Sequence, residues 1–145
     1  MLIYAMTQEL ATWIHYRNLR QRVVERGDPA LTRLLGLISA DERTHHVFYR
    51  SAVGLFLELD RRETLEQLRR VLLTFAMPAV FLLADSRKRV AAIKDLGIFN
   101  EDVFAHEVYQ PILTALGVEN RDLRQHDRRR KSAPVSLGPT EGAGP

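Results

Sequence analysis

Apolar residues recur along nearly the whole chain at the spacing of α-helices. No run alternates apolar and polar residues as a half-buried strand would, so the pattern predicts an all-α fold. The first helix is predicted from about Ile3 to Arg26, because Gly27 can adopt the left-handed conformation that ends a helix. The second is predicted from Pro29 to about Leu59, giving a long antiparallel hairpin.

About three shorter helices are expected to follow the hairpin. The third helix should open at Asp60 or Arg61 and be stopped or kinked by Pro78, after Met77. The fourth and fifth are predicted over residues 80–96 and 101–116, with the fifth bent or split at Pro111. Residues 1–124 are therefore expected to form one helical domain. Residues 125–145 carry basic, Pro, Gly and Ser residues without apolar periodicity, and we predict a disordered tail there.

The tight turn between the first two helices fixes which residues share a height. Glu9 lies 18 residues before Gly27, while Glu42 and His45 lie 15 and 18 residues after it. At 1.5 Å per residue these positions are about 27, 22 and 27 Å from the turn. The i, i+3 spacing places Glu42 and His45 on one helix face. A carboxylate of the first helix can thus meet a Glu-x-x-His pair of the second.

Two interpretations of these three side chains remain open from spacing alone. Ferritin-like di-iron proteins bind metal through two Glu residues and two Glu-x-x-His pairs, so the trio would be half of such a ligand set. Carboxylates and imidazoles also suit iron that must react with oxygen. Alternatively, Glu9 and Glu42 are surface carboxylates and His45 is a hydrogen-bonded core histidine.

Two motifs around these residues favour the metal-binding interpretation. They are Gln8-Glu9-Leu10-Ala11-Thr12 and Ala40-Asp41-Glu42-Arg43-Thr44-His45. Their order and separation resemble the second half of the plant-type and actinobacterial acyl-carrier-protein desaturases, over roughly residues 3–116. The resemblance implies a partial ferritin-like bundle, with the segment around Met77-Pro78 fitting more loosely.

The resemblance also implies roles for individual residues. Glu9, Glu42 and His45 match iron ligands of the family, and Thr12 matches a threonine beside the oxygen-binding side of the cluster. Asp41 matches a carboxylate that orients a ligand histidine, although a solvated helix carboxylate is the alternative. The implied enzyme removes two hydrogens from an acyl chain on acyl-carrier protein, using oxygen and reduced ferredoxin.

This sequence carries three of the six ligands that the resemblance calls for. We expect a truncated chain, one part of a split enzyme, or a homodimer in which two copies complete the set. The competing hypothesis is a non-catalytic helical remnant that binds a partner through exposed apolar faces.

Composition narrows the remaining possibilities. Hydrophobic residues make up 46% and charged residues 27% of the chain, as in ordinary globular proteins. The absence of cysteine excludes disulfides and thiolate metal sites. The longest apolar stretch is too short to span a membrane, and the N-terminus does not resemble a secretory signal, so a cytoplasmic location is expected. The run from Arg128 to Lys131 accompanies no nucleic-acid recognition motif, so no nucleic-acid partner is predicted.

The remaining histidines are not expected to bind metal. His46 follows His45 and must point about 100° away on the helix. His15 is six residues from Glu9 and is assigned to packing or the surface, and His106 has no partner at ligand spacing.

Overall fold

The structure is a computed structural model that describes residues 1–77 and 84–124. These residues form helices joined by short turns, with no strand in either range, as the apolar spacing predicts. The tail predicted to be disordered, residues 125–145, lies outside the described residues. Within the described part, no helix is both long enough and apolar enough to cross a membrane.

The predicted hairpin is present. Helix α1 (Leu2–Glu25) ends where Gly27 adopts a φ of 74°, and α2 (Pro29–Leu59) begins at the proline. The Asp28 side chain caps α2 by accepting a hydrogen bond from the Leu31 N–H at 2.9 Å.

Contacts at two levels fix the antiparallel direction of α1 and α2. Near the turn, Arg20 Nε donates to the carbonyl of Thr32 at 3.1 Å. Far from the turn, a ring nitrogen of His46 lies 3.0 Å from the carbonyl oxygen of Met6. The pairing therefore holds along most of both helices.

Helix α3 (Arg61–Thr74) starts where predicted, because the Asp60 side chain accepts from the Glu63 N–H. It ends three residues before Met77, so the predicted end is wrong. Phe75 leaves the helix in an extended conformation, and its ring stacks on Phe104 at 5.3 Å between centroids. The helix therefore ends before the segment in which the sequence predicted its end.

Within the described residues the fourth helix begins at Ser86, whereas the prediction also placed residues 84 and 85 in it. Residues 84 and 85 form a turn, Asp85 adopts a left-handed φ of 56°, and α4 (Ser86–Asp95) follows. Aspartate tolerates this conformation better than most residues, so the turn is accommodated there. Residues 80–83 of the prediction lie outside the described range.

The fifth predicted helix is continuous but changes its winding before the proline. It consists of α5 (Glu101–Val103), a π-helical segment (Phe104–Tyr109) and α6 (Gln110–Leu116). Pro111 lacks the N–H that an α-helical bond requires, which accounts for the irregularity directly before it. Gly117 ends α6 with a φ of 61°. The helix is therefore not split at Pro111, and the irregularity is the π-helical segment that ends two residues before it.

The core lies on one side of the hairpin, where α3 and the segment from α5 to α6 cover α1. It is a single cluster of buried apolar side chains from all of these elements. Its most deeply buried members are Met6, Ala11, Leu68, Val108 and Ile112. The opposite side of α2 carries no such cover among the described residues.

Candidate metal centre

Glu9, Glu42 and His45 converge as the spacing predicts. His45 Nδ1 lies 3.5 Å from a carboxylate oxygen of Glu9 and 3.8 Å from one of Glu42. One possible ligand atom from each residue lies within 4.8 Å of the others. The Glu9 and Glu42 side chains are largely buried, at 16% and 20% exposure, whereas His45 is 58% exposed.

The environment of Glu42 disfavours its charge. Burial, followed by the adjacent Glu9 carboxylate, raises the pKa of Glu42 to about 7, while His45 opposes the rise. Two carboxylates thus share a site with a single imidazole beside them. A cation would relieve this repulsion directly.

The local sequence explains why the three side chains meet. Gly27 and Asp28 fix the turn, so residues equally distant from it fall at one height. Glu42 lies on the edge of α2 that faces α1, and His45 follows one turn later. The result is a cluster in which two largely buried carboxylates lie beside one exposed imidazole.

Thr12 and Asp41 are near this cluster in sequence, but no hydrogen bond or ion pair in the described residues joins their side chains to the side chains of the cluster. The Thr12 hydroxyl donates to backbone carbonyls of its own helix, at 2.9 Å for Gln8 and 3.1 Å for Glu9. The Asp41 side chain is exposed and makes no hydrogen bond or ion pair within residues 1–77 and 84–124. Their expected roles stay predictions.

The core histidine of this region is His46, not His45. His46 is only 6% exposed, and its Nδ1 lies 3.0 Å from the Met6 carbonyl. Burial lowers its pKa, so the ring is held neutral. Its Nδ1 therefore faces the α1 backbone, and His46 is not one of the three side chains that converge. The alternative role considered for His45 belongs to its neighbour.

The other two histidines also lie away from the cluster. His15 is half-buried, with its ring 5.7 Å from Tyr16 in an edge-on arrangement, and burial lowers its pKa. His106 lies exposed in the π-helical segment. Neither reaches Glu9 or Glu42.

The structure contains an apolar cavity of about 470 Å³ that the sequence did not predict. It lies between α1, the end of α3, α4 and α5, and none of the three candidate ligands lines it. Its walls include the stacked rings of Phe75 and Phe104 together with Phe99 and Ile93. No periodic pattern joins these residues, because they come from separate helices.

The donor set fits a hard or borderline divalent cation. Two carboxylates and an imidazole are ligands typical of iron in oxygen-dependent proteins. One Glu and one Glu-x-x-His pair correspond to half of a di-iron carboxylate site. The three residues therefore fit an iron centre that needs further ligands.

Comparison with known proteins identifies the family that the chain resembles. A family model described as fatty acid desaturase matches residues 1–136. The putative acyl-[acyl-carrier-protein] desaturase DesA1 of Mycobacterium tuberculosis is 30% identical over 121 residues, which cover 83% of this chain and 35% of that protein.

Plant proteins are similar to the chain at a comparable level. The chloroplastic acyl-[acyl-carrier-protein] desaturase 3 of Oryza sativa is 32% identical over 145 residues, covering 94% of this chain and 36% of that protein. The chloroplastic stearoyl-[acyl-carrier-protein] 9-desaturase of Olea europaea is 31% identical over 117 residues, covering 80% of this chain and 26% of that protein. The chain thus spans about a third of the length of the first two relatives.

Proposed function

Because the chain belongs to the fatty acid desaturase family, we propose that it supplies half of the iron centre of an acyl-[acyl-carrier-protein] desaturase. The supporting observation is the convergence of Glu9, Glu42 and His45 within 4.8 Å across two helices. The reaction proposed for the complete centre is the oxygen-dependent introduction of a double bond into an acyl chain.

The proposed roles follow from the positions of the side chains. Glu9 and Glu42 would hold iron through carboxylate oxygens, and His45 through a ring nitrogen. Bound iron would supply the activation of oxygen. Burial beside Glu9 raises the pKa of Glu42 to about 7, so cation binding would displace the proton that Glu42 holds near neutral pH.

Thr12 is proposed to assist at the oxygen-binding side, one turn along α1 from Glu9. To do so, its hydroxyl must give up the bond to the Gln8 carbonyl. Replacing Thr12 by Val should therefore lower desaturation while leaving iron content unchanged. Replacing it by Ser should preserve activity, because Ser keeps the hydroxyl.

The missing ligands must come from a second Glu and a second Glu-x-x-His pair. A longer polypeptide, a separate subunit or a second copy of this chain could provide them. Acyl-carrier protein is the proposed carrier of the substrate, and ferredoxin the proposed electron donor. A cytoplasmic location stays a prediction.

Iron content per chain tests the metal proposal. The purified chain, reconstituted with Fe(II) without oxygen, should hold about one iron per chain, half of a two-iron centre. Glu42→Ala should abolish most of this iron. Glu58→Ala is the matched control, because Glu58 is an exposed carboxylate of the same helix. Negligible iron in the wild-type chain, or equal loss in both variants, would refute the proposal.

A direct assay tests the reaction. Stearoyl-acyl-carrier protein, reduced ferredoxin and oxygen would be supplied to the iron-loaded chain, and the fatty acids analysed for a new double bond. Product that depends on Glu42 would support desaturation. Iron binding without product under these conditions would limit the proposal to metal binding.

A further inference from the structure

Helix α2 carries a second apolar stripe that faces away from the core. It consists of positions separated alternately by three and four residues, which we call the α2 seam. Its members are Leu31, Leu34, Ile38, Asp41, His45, Phe48, Ala52, Leu55 and Leu59. The mean step of about 3.5 residues is that of a coiled-coil seam, which is suited to contact with another helix.

Most of the α2 seam is exposed in the structure, with Ile38 and Ala52 half-buried. Leu34 is 52% exposed, Phe48 67%, Leu55 61% and Leu59 80%. The buried stripe of the same helix, which includes Leu35, Val53 and Leu57, contacts the core instead. Monomeric proteins rarely leave so long an apolar row in water, so this face is suited to a partner helix.

The polar members of the α2 seam show how a partner would pair. Asp41 and His45 are its two polar residues, and they are neighbours along it. Asp41 has no partner among the described residues, and His45 is 58% exposed. Buried polar residues in such seams need partners, and so they fix the register and direction of pairing.

We propose that the α2 seam pairs with the same seam of a second copy, antiparallel, with the twofold axis midway between Asp41 and His45. Asp41 then lies opposite His45 of the second copy, and by symmetry His45 lies opposite Asp41 of the second copy. The next layers place Ile38 opposite Phe48, and Leu34 opposite Ala52. Leu31 then lies opposite Leu55, so these three layers are apolar, and Leu59 lies opposite Gly27, beyond the seam of the second copy.

Other arrangements of two copies are less favourable. A parallel pair would place Asp41 against Asp41, which brings like charges together. An antiparallel pair centred between His45 and Phe48 would place Asp41 opposite Ala52, leaving a carboxylate without a partner. The polar pair therefore selects one arrangement.

The same arrangement would complete the proposed iron centre. Glu42 lies beside the seam on its α1 side, close to the level of the axis, so the two Glu42 side chains would approach each other. Each copy would also bring Glu9, which lies 3.5 Å from His45 within its own chain. Two Glu and two Glu-x-x-His pairs result. Only this last step rests on the proposed function, since the apolar layers stand without metal.

Sedimentation of the full 145-residue chain tests the inference. In metal-free buffer at tens of micromolar, the chain should sediment at twice its mass of 16.6 kDa. Leu55→Asp should give a monomer, because it places a charge in an apolar layer. Leu73→Asp is the matched control: Leu73 is 63% exposed but lies on α3, so this variant should remain a dimer.

Disulfide crosslinking tests the register, because the native chain has no cysteine. A chain carrying both Leu31→Cys and Leu55→Cys should form a covalent dimer on oxidation. Each single variant should not, since its cysteine would lie about 36 Å from the same position in the second copy. Crosslinking by either single variant alone would contradict the antiparallel arrangement.

These experiments distinguish failure of the dimer proposal from failure of the metal proposal. A monomer both without metal and with Fe(II) would overturn the inference, and so would a dimer unaffected by Leu55→Asp. A dimer that binds no iron would retain the interface and refute the proposed metal function. Glu42→Ala should lose iron and remain a dimer.

Discussion

His45 and Glu9 lie on different helices, yet the ring nitrogen of one is 3.5 Å from a carboxylate oxygen of the other. Each is 18 residues from Gly27, so the single turn of the hairpin sets their meeting. The short connection makes the pair sensitive to anything that shifts α1 against α2.

Loss of His45 should weaken metal binding. We expect His45→Ala to lower Fe(II) affinity by about tenfold or more, because it removes the nitrogen ligand of the cluster. Anaerobic titration calorimetry would measure the change. His106→Ala serves as the control, since His106 is exposed in the π-helical segment. Equal affinities of the two variants would show that His45 is not a ligand.

Metal affinity should depend on pH near neutrality. Glu42 has a pKa of about 7, and it must lose its proton to bind a cation. Fe(II) affinity should therefore fall as pH decreases below about 7. Calorimetry in buffers of different ionisation enthalpy should show proton release on binding. An affinity that stays constant between pH 6 and 8 would contradict this.

In the metal-free protein, the free energy of unfolding should also depend on the protonation of Glu42. It should decrease as pH rises, whereas metal affinity should increase. Folding raises the pKa of Glu42 from 4.5 to about 7, so the folded state binds more protons between these values. The contribution of Glu42 to stability is thus full below pH 4.5 and is lost as pH rises to about 7. Urea denaturation of wild type and Glu42→Gln should reveal a difference that varies with pH across this window.

Replacing His46 should destabilise the fold without removing a ligand. His46→Ala removes a buried ring and its bond to the Met6 carbonyl, at a cost of about 1–3 kcal/mol in the free energy of unfolding. Because burial lowers its pKa below 6.5, the wild-type contribution should also decline as pH falls below that value. His106→Ala should leave the unfolding free energy nearly unchanged.

The cap of α2 should contribute measurably to stability. Asp28→Ala removes the acceptor for the Leu31 N–H and should lower the unfolding free energy by about 1 kcal/mol. Asp28→Asn retains an acceptor oxygen and should restore most of the loss. Thermal unfolding followed by circular dichroism would compare the three proteins. Equal losses in both variants would assign the effect to charge instead.

The sequence by itself determined the hairpin and the level of its ligands. Gly27, Asp28 and Pro29 are local signals, and a helix rises by a fixed amount per residue, so Glu9, Glu42 and His45 could be placed in advance. An irregularity near Pro111 was expected from its missing N–H, but its π-helical form over Phe104–Tyr109 was not predicted.

Only the tertiary structure showed where α3 ends, where α4 begins and which histidine is buried. Phe75 leaves its helix to stack on Phe104, a residue distant in sequence. His46 is buried and neutral because α1 covers it, while His45, one residue earlier, faces the uncovered side. Helix ends and the burial of a side chain depend on which helix surfaces pack together. The residues that decide this packing lie on separate helices, so no local sequence pattern connects them.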